Sequence, residues 1–205
     1  MPRAFSDHEK GLIRQRLVQA GRKLLNTVGI KALTIDELAR MARISKGSFY
    51  AFFSSREDLI LSVFESWEDE YRGPLLELVL TGSGDAQLRL KRFFSEALRL
   101  VEREPALARL GSGEIQYIVE RLPQERIAAH QAADRSVLTE AFGRWVDAGI
   151  IAREDLPALI GSVQFIFLLA MHKDEMVAGT FESTADLLVD ALAARFAAGG
   201  RRGGV

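Results

Sequence analysis

The 205-residue chain contains no cysteine. That absence excludes disulfides, thiolate metal sites, a thiol nucleophile and thiol oxidation as a signal. Proline is scarce, at five residues, and falls at plausible helix edges. No run alternates apolar and polar residues between hairpin turns, so strands are not expected. There is no overall excess of charge: 27 basic and 28 acidic side chains leave a net of -1. The N-terminal residues Met1 to Asp7 lack an apolar signal core. The most apolar stretch, Pro157–Met171, is uncharged over 15 residues, but its unbroken core, Phe165–Met171, is only 7 long. A membrane span needs about 20 residues, so a buried helix, no membrane partner and a cytoplasmic location are expected. Three histidines, His8, His130 and His172, are scattered. They fall into no Ser-His-Asp order and no metal-ligand spacing, and there is no phosphate loop. Neither an enzyme, a cofactor nor a metal is expected.

The small net charge hides a split. Residues 1–56 hold 11 basic and 4 acidic side chains, a net of +7, and residues 57–205 hold 16 and 24, a net of -8. Such asymmetry points to a basic nucleic-acid module joined to something else.

Apolar residues recur at helical spacing nearly throughout, predicting an all-α fold of about nine helices. The first runs from Ser6 or Asp7 to Val28, with Ile13, Leu17, Ala20, Leu24 and Val28 on one face and Gly29 as its left-handed stop. Thr34-Ile-Asp-Glu37 has the form of a capping box and opens a second, short helix. A third starts at Ser45. A fourth starts at Ser55 and runs to about Tyr71, where Gly73-Pro74 interrupts or kinks it. Further helices are expected over Asp85–Arg103, with Leu88, Phe94, Leu98 and Val101 inward, and briefly from Pro105. A segment from Glu114 to Arg121 leads to Pro123, and helices should then run to Ala148 and cover Asp155–Lys173 and Ser183–Ala197. Residues 199–205 read as a disordered tail.

Residues 34–53 are the informative part. Two short helices flank a tight turn, Ala42-Arg-Ile-Ser45, which is a helix-turn-helix layout. Ala39 lets the helices approach, while Ile35, Leu38, Ile44 and Phe49 can close a small core. Ser45, Lys46, Gly47 and Ser48 then lie at the leading end of the second helix, the end that enters a major groove. Gly47 removes a side chain where backbone passes close to a phosphate or base. Tyr50 and Arg56 can reach phosphates. Each position also admits a plainer role as cap, core or solvated charge.

The stretch Thr34-Ile-Asp-Glu-Leu-Ala through Ser45-Lys-Gly-Ser-Phe-Tyr50 to Phe53 and Ser55-Arg-Glu-Asp-Leu59 resembles the DNA-binding domain of TetR-family transcriptional regulators. The resemblance covers residues 9–64. It implies that Thr34 caps the second helix beside a phosphate, that Ser45, Lys46 and Ser48 contact the groove, and that Tyr50 and Arg56 contact phosphates. Two positions depart from the pattern. Arg43 stands where the family has Gly, so it must tolerate a positive φ or make a different turn, and it can add a phosphate contact. Phe52 replaces a His, leaving apolar contact or packing in place of a hydrogen bond.

The resemblance further implies a DNA-binding domain over residues 1–54 and a ligand-binding and dimerisation domain over 55–198. Candidate pocket residues are Trp67, Tyr71, Phe94, Gln116, Tyr117, Trp145, Gln164 and His172, with plain core as the alternative for each aromatic. The last two helices offer Ile166, Ala170, Leu188 and Leu192 for a four-helix dimer interface, unless their apolar surface is all intramolecular. The expected function is a repressor that binds palindromic double-stranded DNA as a homodimer and is released by a small apolar or aromatic effector. The alternative is a ligand-independent DNA-binding or protein-interaction member of the same fold.

Overall fold

A computed structural model describes residues 5–103 and 112–200. The described residues form ten α-helices and no strand: α1 Asp7–Thr27, α2 Gly29–Ala32, α3 Ile35–Ala42, α4 Lys46–Phe49, α5 Arg56–Thr81, α6 Ala86–Arg103, α7 Ser112–Val119, α8 Gln124–Asp147, α9 Leu156–Met171 and α10 Phe181–Gly200. Two of the ten, the single turn α2 and the helix α7, go beyond the eight helices expected within these residues. The helix expected at Pro105 lies outside the described residues, as do residues 201–205, whereas Gly199 and Gly200 belong to α10.

The chain divides into two compact units. One comprises residues 1–70 and 113–122, the other residues 71–112 and 123–205. The division therefore falls within α5, not at residues 54 and 55. The first half of α5 buries Leu59, Ile60, Leu61, Val63 and Trp67 in the N-terminal unit. Gly73-Pro74 does not end this helix, which continues through Pro74 to Thr81. Proline removes one backbone donor, and the turns beyond it are retained because Leu75, Leu76 and Val79 are buried in the second unit's core.

In the N-terminal unit, α1 begins with a complete capping box. Ser6 Oγ accepts from the Glu9 N–H, and Glu9 Oε2 accepts from the Ser6 N–H at 2.8 Å. Its buried face comprises Ile13, Leu17, Ala20, Gly21, Leu24 and Leu25. Val28 is exposed because it caps the helix, and Gly29 takes the expected left-handed φ of 77°. Gly21 is a point of close approach: a Cβ there would lie 2.9 Å from Val63 Cγ2 and 3.0 Å from Leu59 Cδ2.

In the second unit, Leu90, Phe93, Phe94 and Ala97 of α6 meet Phe142 and Trp145 of α8, Leu159, Val163 and Ile166 of α9, and Val189, Ala193 and Phe196 of α10. The Trp145 ring sits 4.9 Å from Phe93, edge-on, and 4.6 Å from Phe142. Leu88, expected inward, is exposed, because the buried stripe of α6 is phased on residues 90, 93, 94 and 97. Asp155 is buried and receives two hydrogen bonds from Arg195, at 2.8 and 2.9 Å. Gly199 packs so closely on this pair that a Cβ would overlap the Asp155 carboxylate.

Two stability predictions follow from these contacts. Gly21→Leu should cost about 1–3 kcal/mol by overpacking. Gly199→Ala should displace the Asp155 carboxylate and cost a similar amount, lowering the melting midpoint by about 2–10 °C. Thermal unfolding followed by circular dichroism checks both, and an unchanged midpoint contradicts the close approach.

Candidate nucleic-acid interface

The helix-turn-helix forms where the motif places it. Thr34 caps α3, its Oγ1 accepting from the Glu37 N–H at 3.3 Å. The reciprocal half of the box differs from expectation: Glu37 Oε2 accepts from the Thr34 hydroxyl at 3.2 Å instead of reaching back to the backbone. Leu38, Ala39, Ala42 and Phe49 are buried between the helices. Ser45 caps α4 by accepting from the Ser48 N–H at 3.1 Å, and the two hydroxyls lie 2.8 Å apart.

Arg43 tolerates the positive φ. At φ 59°, ψ 46° it is the one non-glycine residue with positive φ among the described residues. Its N–H reaches the Arg40 carbonyl at 3.2 Å, and the Ile44 N–H reaches the Ala39 carbonyl at 3.0 Å. That paired closure is a Schellman motif, normally built on glycine. A side chain in this conformation costs about 1–2 kcal/mol, which the turn's hydrogen bonds and the buried Ala42 beside it hold in place.

Thr34, Arg43, Ser45, Lys46, Gly47 and Tyr50 are exposed, and Ser48 is half-exposed. The buried and exposed positions thus separate cleanly, with Phe49 inward and its neighbours outward. Lys46 is paired with Asp36 at 2.8 Å, and that hydrogen bond holds its ammonium above the ordinary lysine range. Both groups are solvent-exposed, so the pair is weak and exchangeable.

Arg56 is placed differently from the rest. Its guanidinium donates to the Leu33 carbonyl at 3.0 Å, to Glu57 Oε1 at 2.9 Å and to the Tyr117 hydroxyl at 2.7 Å. It ties the start of α5 to the loop before α3 and to α7 instead of standing open to a phosphate. Tyr117 in turn carries the Arg121 guanidinium over its ring at 3.6 Å.

Two arginines of α1 complete the unit without having been singled out in the sequence. Arg14 donates to the Phe52 carbonyl at 2.9 Å and stands 4.3 Å over the Phe53 ring, clamping the chain that leaves α4. Phe52 packs on Phe5 at 6.0 Å, the apolar contact expected of it. Arg16 lines an open groove of about 250 Å³ together with Phe5, Leu12, Arg43, Ser45 and Ser48. Nothing local marks Arg14, since its partners are 38 or more positions away. The capping box at Ser6 and Glu9 was legible as Ser-x-x-Glu.

The candidate pocket residues are divided between the two units. Trp67, Gln116 and Tyr117 belong to the N-terminal unit. Trp67 is buried, and Gln116 is exposed in a surface pair with Glu120 at 2.9 Å. In the second unit, Phe94 and Trp145 are core, with Tyr71 packed against it. Gln164 is exposed, and His172 is half-buried with Nδ1 3.0 Å from Glu175. The Trp145 Nε1 donor is buried with no hydrogen-bond partner among the described residues. The dimer candidates differ in exposure. Ile166 and Ala170 are buried in their own unit, at 1% and 7% exposure, and Leu188 and Leu192 are half-buried. The apolar side chains that face outward are Phe165, Leu168 and Leu187, at 53%, 51% and 70%. An α9 that is apolar all round gives no sequence cue to its phase.

Residues 17–63 match the family model of bacterial regulatory proteins of the tetR family. The transcriptional regulator AcuR of Cereibacter sphaeroides is 33% identical over 92 residues, covering 45% of this chain and 41% of AcuR. The transcriptional repressor NemR of Escherichia coli K12 is 29% identical over 94 residues, covering 46% and 47%. The chain thus spans less than half the length of these curated relatives. A crystal structure of RolR in complex with its ligand resorcinol superposes with a TM-score of 0.61 at 19% identity, covering 96% of this chain and 95% of RolR, which establishes likeness of fold. Over residues 17–63 the chain is thus similar to bacterial regulatory proteins of the tetR family, and its described residues share the all-helical fold of the solved neighbour.

Proposed function

We propose that the chain is a sequence-specific DNA-binding transcriptional regulator, a repressor that acts as a homodimer and leaves palindromic double-stranded DNA when a small apolar or aromatic effector binds. The carrying observation is the division of residues 45–50: Phe49 is buried, while Ser45, Lys46, Gly47 and Tyr50 are open to solvent on the second helix of the motif. Exposed hydroxyls, an ammonium and a phenol at the leading end of that helix are the groups that meet base edges and phosphates in a major groove. Thr34 and Arg43 supply flanking contacts, and Arg56 positions the start of α5.

Repression is supported by the relative NemR, named a transcriptional repressor. An aromatic effector is supported by the resorcinol complex of RolR. It is also supported by the unpartnered Trp145 indole in an aromatic core, where a ligand acceptor would meet a donor. Dimerisation is supported by the outward Phe165, Leu168 and Leu187. The segment Arg153–Met171 is long and apolar enough to cross a membrane by length and composition, yet only 28% of it is buried. Pairing of these faces between two copies covers that surface and sets two recognition helices about 34–36 Å apart. The site of action is the cytoplasm, where the DNA is.

Three measurements test this. Selection of duplexes from a random pool should return palindromes, and Lys46→Ala or Ser48→Ala should weaken binding to the selected duplex by about 1–3 kcal/mol in a shift titration. No binding by the wild-type chain at low salt sinks the proposal. In sedimentation velocity, the Phe165→Asp/Leu168→Asp variant should run as a monomer where the wild type runs as a dimer. A variant that stays dimeric removes these faces from the interface. Addition of resorcinol and related small phenols should release the duplex, with about a 5–150-fold loss of affinity for the true effector class. Binding that no phenol or apolar ligand alters favours the ligand-independent alternative.

A further inference from the structure

We infer that Arg16 of α1 and the strained Arg43 act together as a clamp for the DNA backbone phosphate, and that this contact is what retains a non-glycine residue at the left-handed turn. The inference rests on the proposed DNA-binding function and adds to it a residue outside the helix-turn-helix. Both arginines line one open groove, with the α4 cap hydroxyls of Ser45 and Ser48 in the same wall. Among the described cations of this unit that have no strong acceptor within the chain, a group that also includes Lys23, Lys31 and Arg40, only Arg16 and Arg43 line the groove. Arg14, Arg22, Lys46 and Arg56 are each committed to an acceptor within the chain. The Arg43 guanidinium has no hydrogen bond or ion pair among the described residues. Arg16 makes a single long contact, from Nε to the Leu12 carbonyl at 3.4 Å, which leaves its two terminal nitrogens open.

One acid, Glu9, also lines the groove, but its carboxylate is held by the Ser6 N–H and hydroxyl, both at 2.8 Å, in the cap of α1. The groove therefore presents two guanidiniums against one carboxylate, an excess of one positive charge beside two hydroxyls. Guanidinium forks match phosphate oxygens, and a backbone phosphate is the anion that a helix-turn-helix brings to this wall. The turn supplies the second line of support. Glycine would adopt φ 59° without strain, so an arginine kept there is best accounted for by what its side chain binds. Strain of this kind gathers at functional sites.

The test separates stability from binding because the two should move in opposite directions. In the full-length chain, Arg43→Gly should raise the melting midpoint by about 2–4 °C while weakening the complex with DNA. Arg16→Gln should leave the midpoint unchanged. The probe is a random-sequence duplex of about 25 base pairs, titrated between about 50 and 200 mM salt. Each substitution should reduce the magnitude of the slope of log K against log salt by about 1, with a fivefold to tenfold loss of affinity near 0.1 M, and the double variant should reduce it by about 2. Wild-type binding with unchanged slopes in all three variants overturns the clamp and leaves the proposed function standing. A wild-type chain that does not bind the duplex overturns both.

Discussion

The N-terminal unit depends on the close approach of α1 to the first half of α5 at Gly21. With no side chain between them, Val63 and Leu59 pack directly on the α1 backbone. This contact aligns the long apolar face of α1 with the start of α5, and the short helices α3 and α4 are held against that frame. A four-residue helix such as α4 has no stability of its own, because nucleation costs more than one turn returns. Its geometry is borrowed from the caps at Ser45 and Thr34, from the buried Phe49, and from Arg14, which clamps the chain leaving it.

Charge within this unit is sorted by commitment more than by count. The net of +7 over residues 1–56 includes cations that serve the fold and cations that face outward. Arg56 is the clearest case of the first kind. At the sequence level it looks like a phosphate contact, yet its guanidinium joins the Leu33 carbonyl, Glu57 and Tyr117. Moving it to a DNA phosphate would leave Glu57, itself little exposed, without its partner. Arg43 is the opposite case, since its backbone is strained and its side chain is uncommitted.

How much could be read in advance follows the same distinction. Caps and turns are local, so Thr34, Ser45 and Gly29 were legible from a few neighbouring residues. At position 43 the left-handed conformation was one of two alternatives, raised only by the glycine that the resembling family has there. Arg14 was not, since its partners lie 38 or more positions on. The continuation of α5 through Pro74 was hidden too. A proline is a local signal for a helix end, and it was overruled by burial of Leu75, Leu76 and Val79, which is a tertiary fact.

The second unit is specified by a different kind of constraint. Its helix α9 carries apolar residues on several faces, so the sequence shows that it buries something without showing which side, and Ile166 is core while Phe165 and Leu168 face out. In the amphipathic α6 the stripe is legible, and Leu88 lies at its edge, outside, while Phe93 is inside. An apolar core accepts many fillings of similar volume, whereas a left-handed turn between two capped helices accepts few sequences. A motif under the second constraint leaves a readable trace, here over residues 17–63. In the second unit the few exact fits are isolated ones, such as the Asp155 carboxylate held by Arg195 and packed against Gly199. Pairs of that kind fix how helices dock, but they carry no pattern that spacing alone could announce.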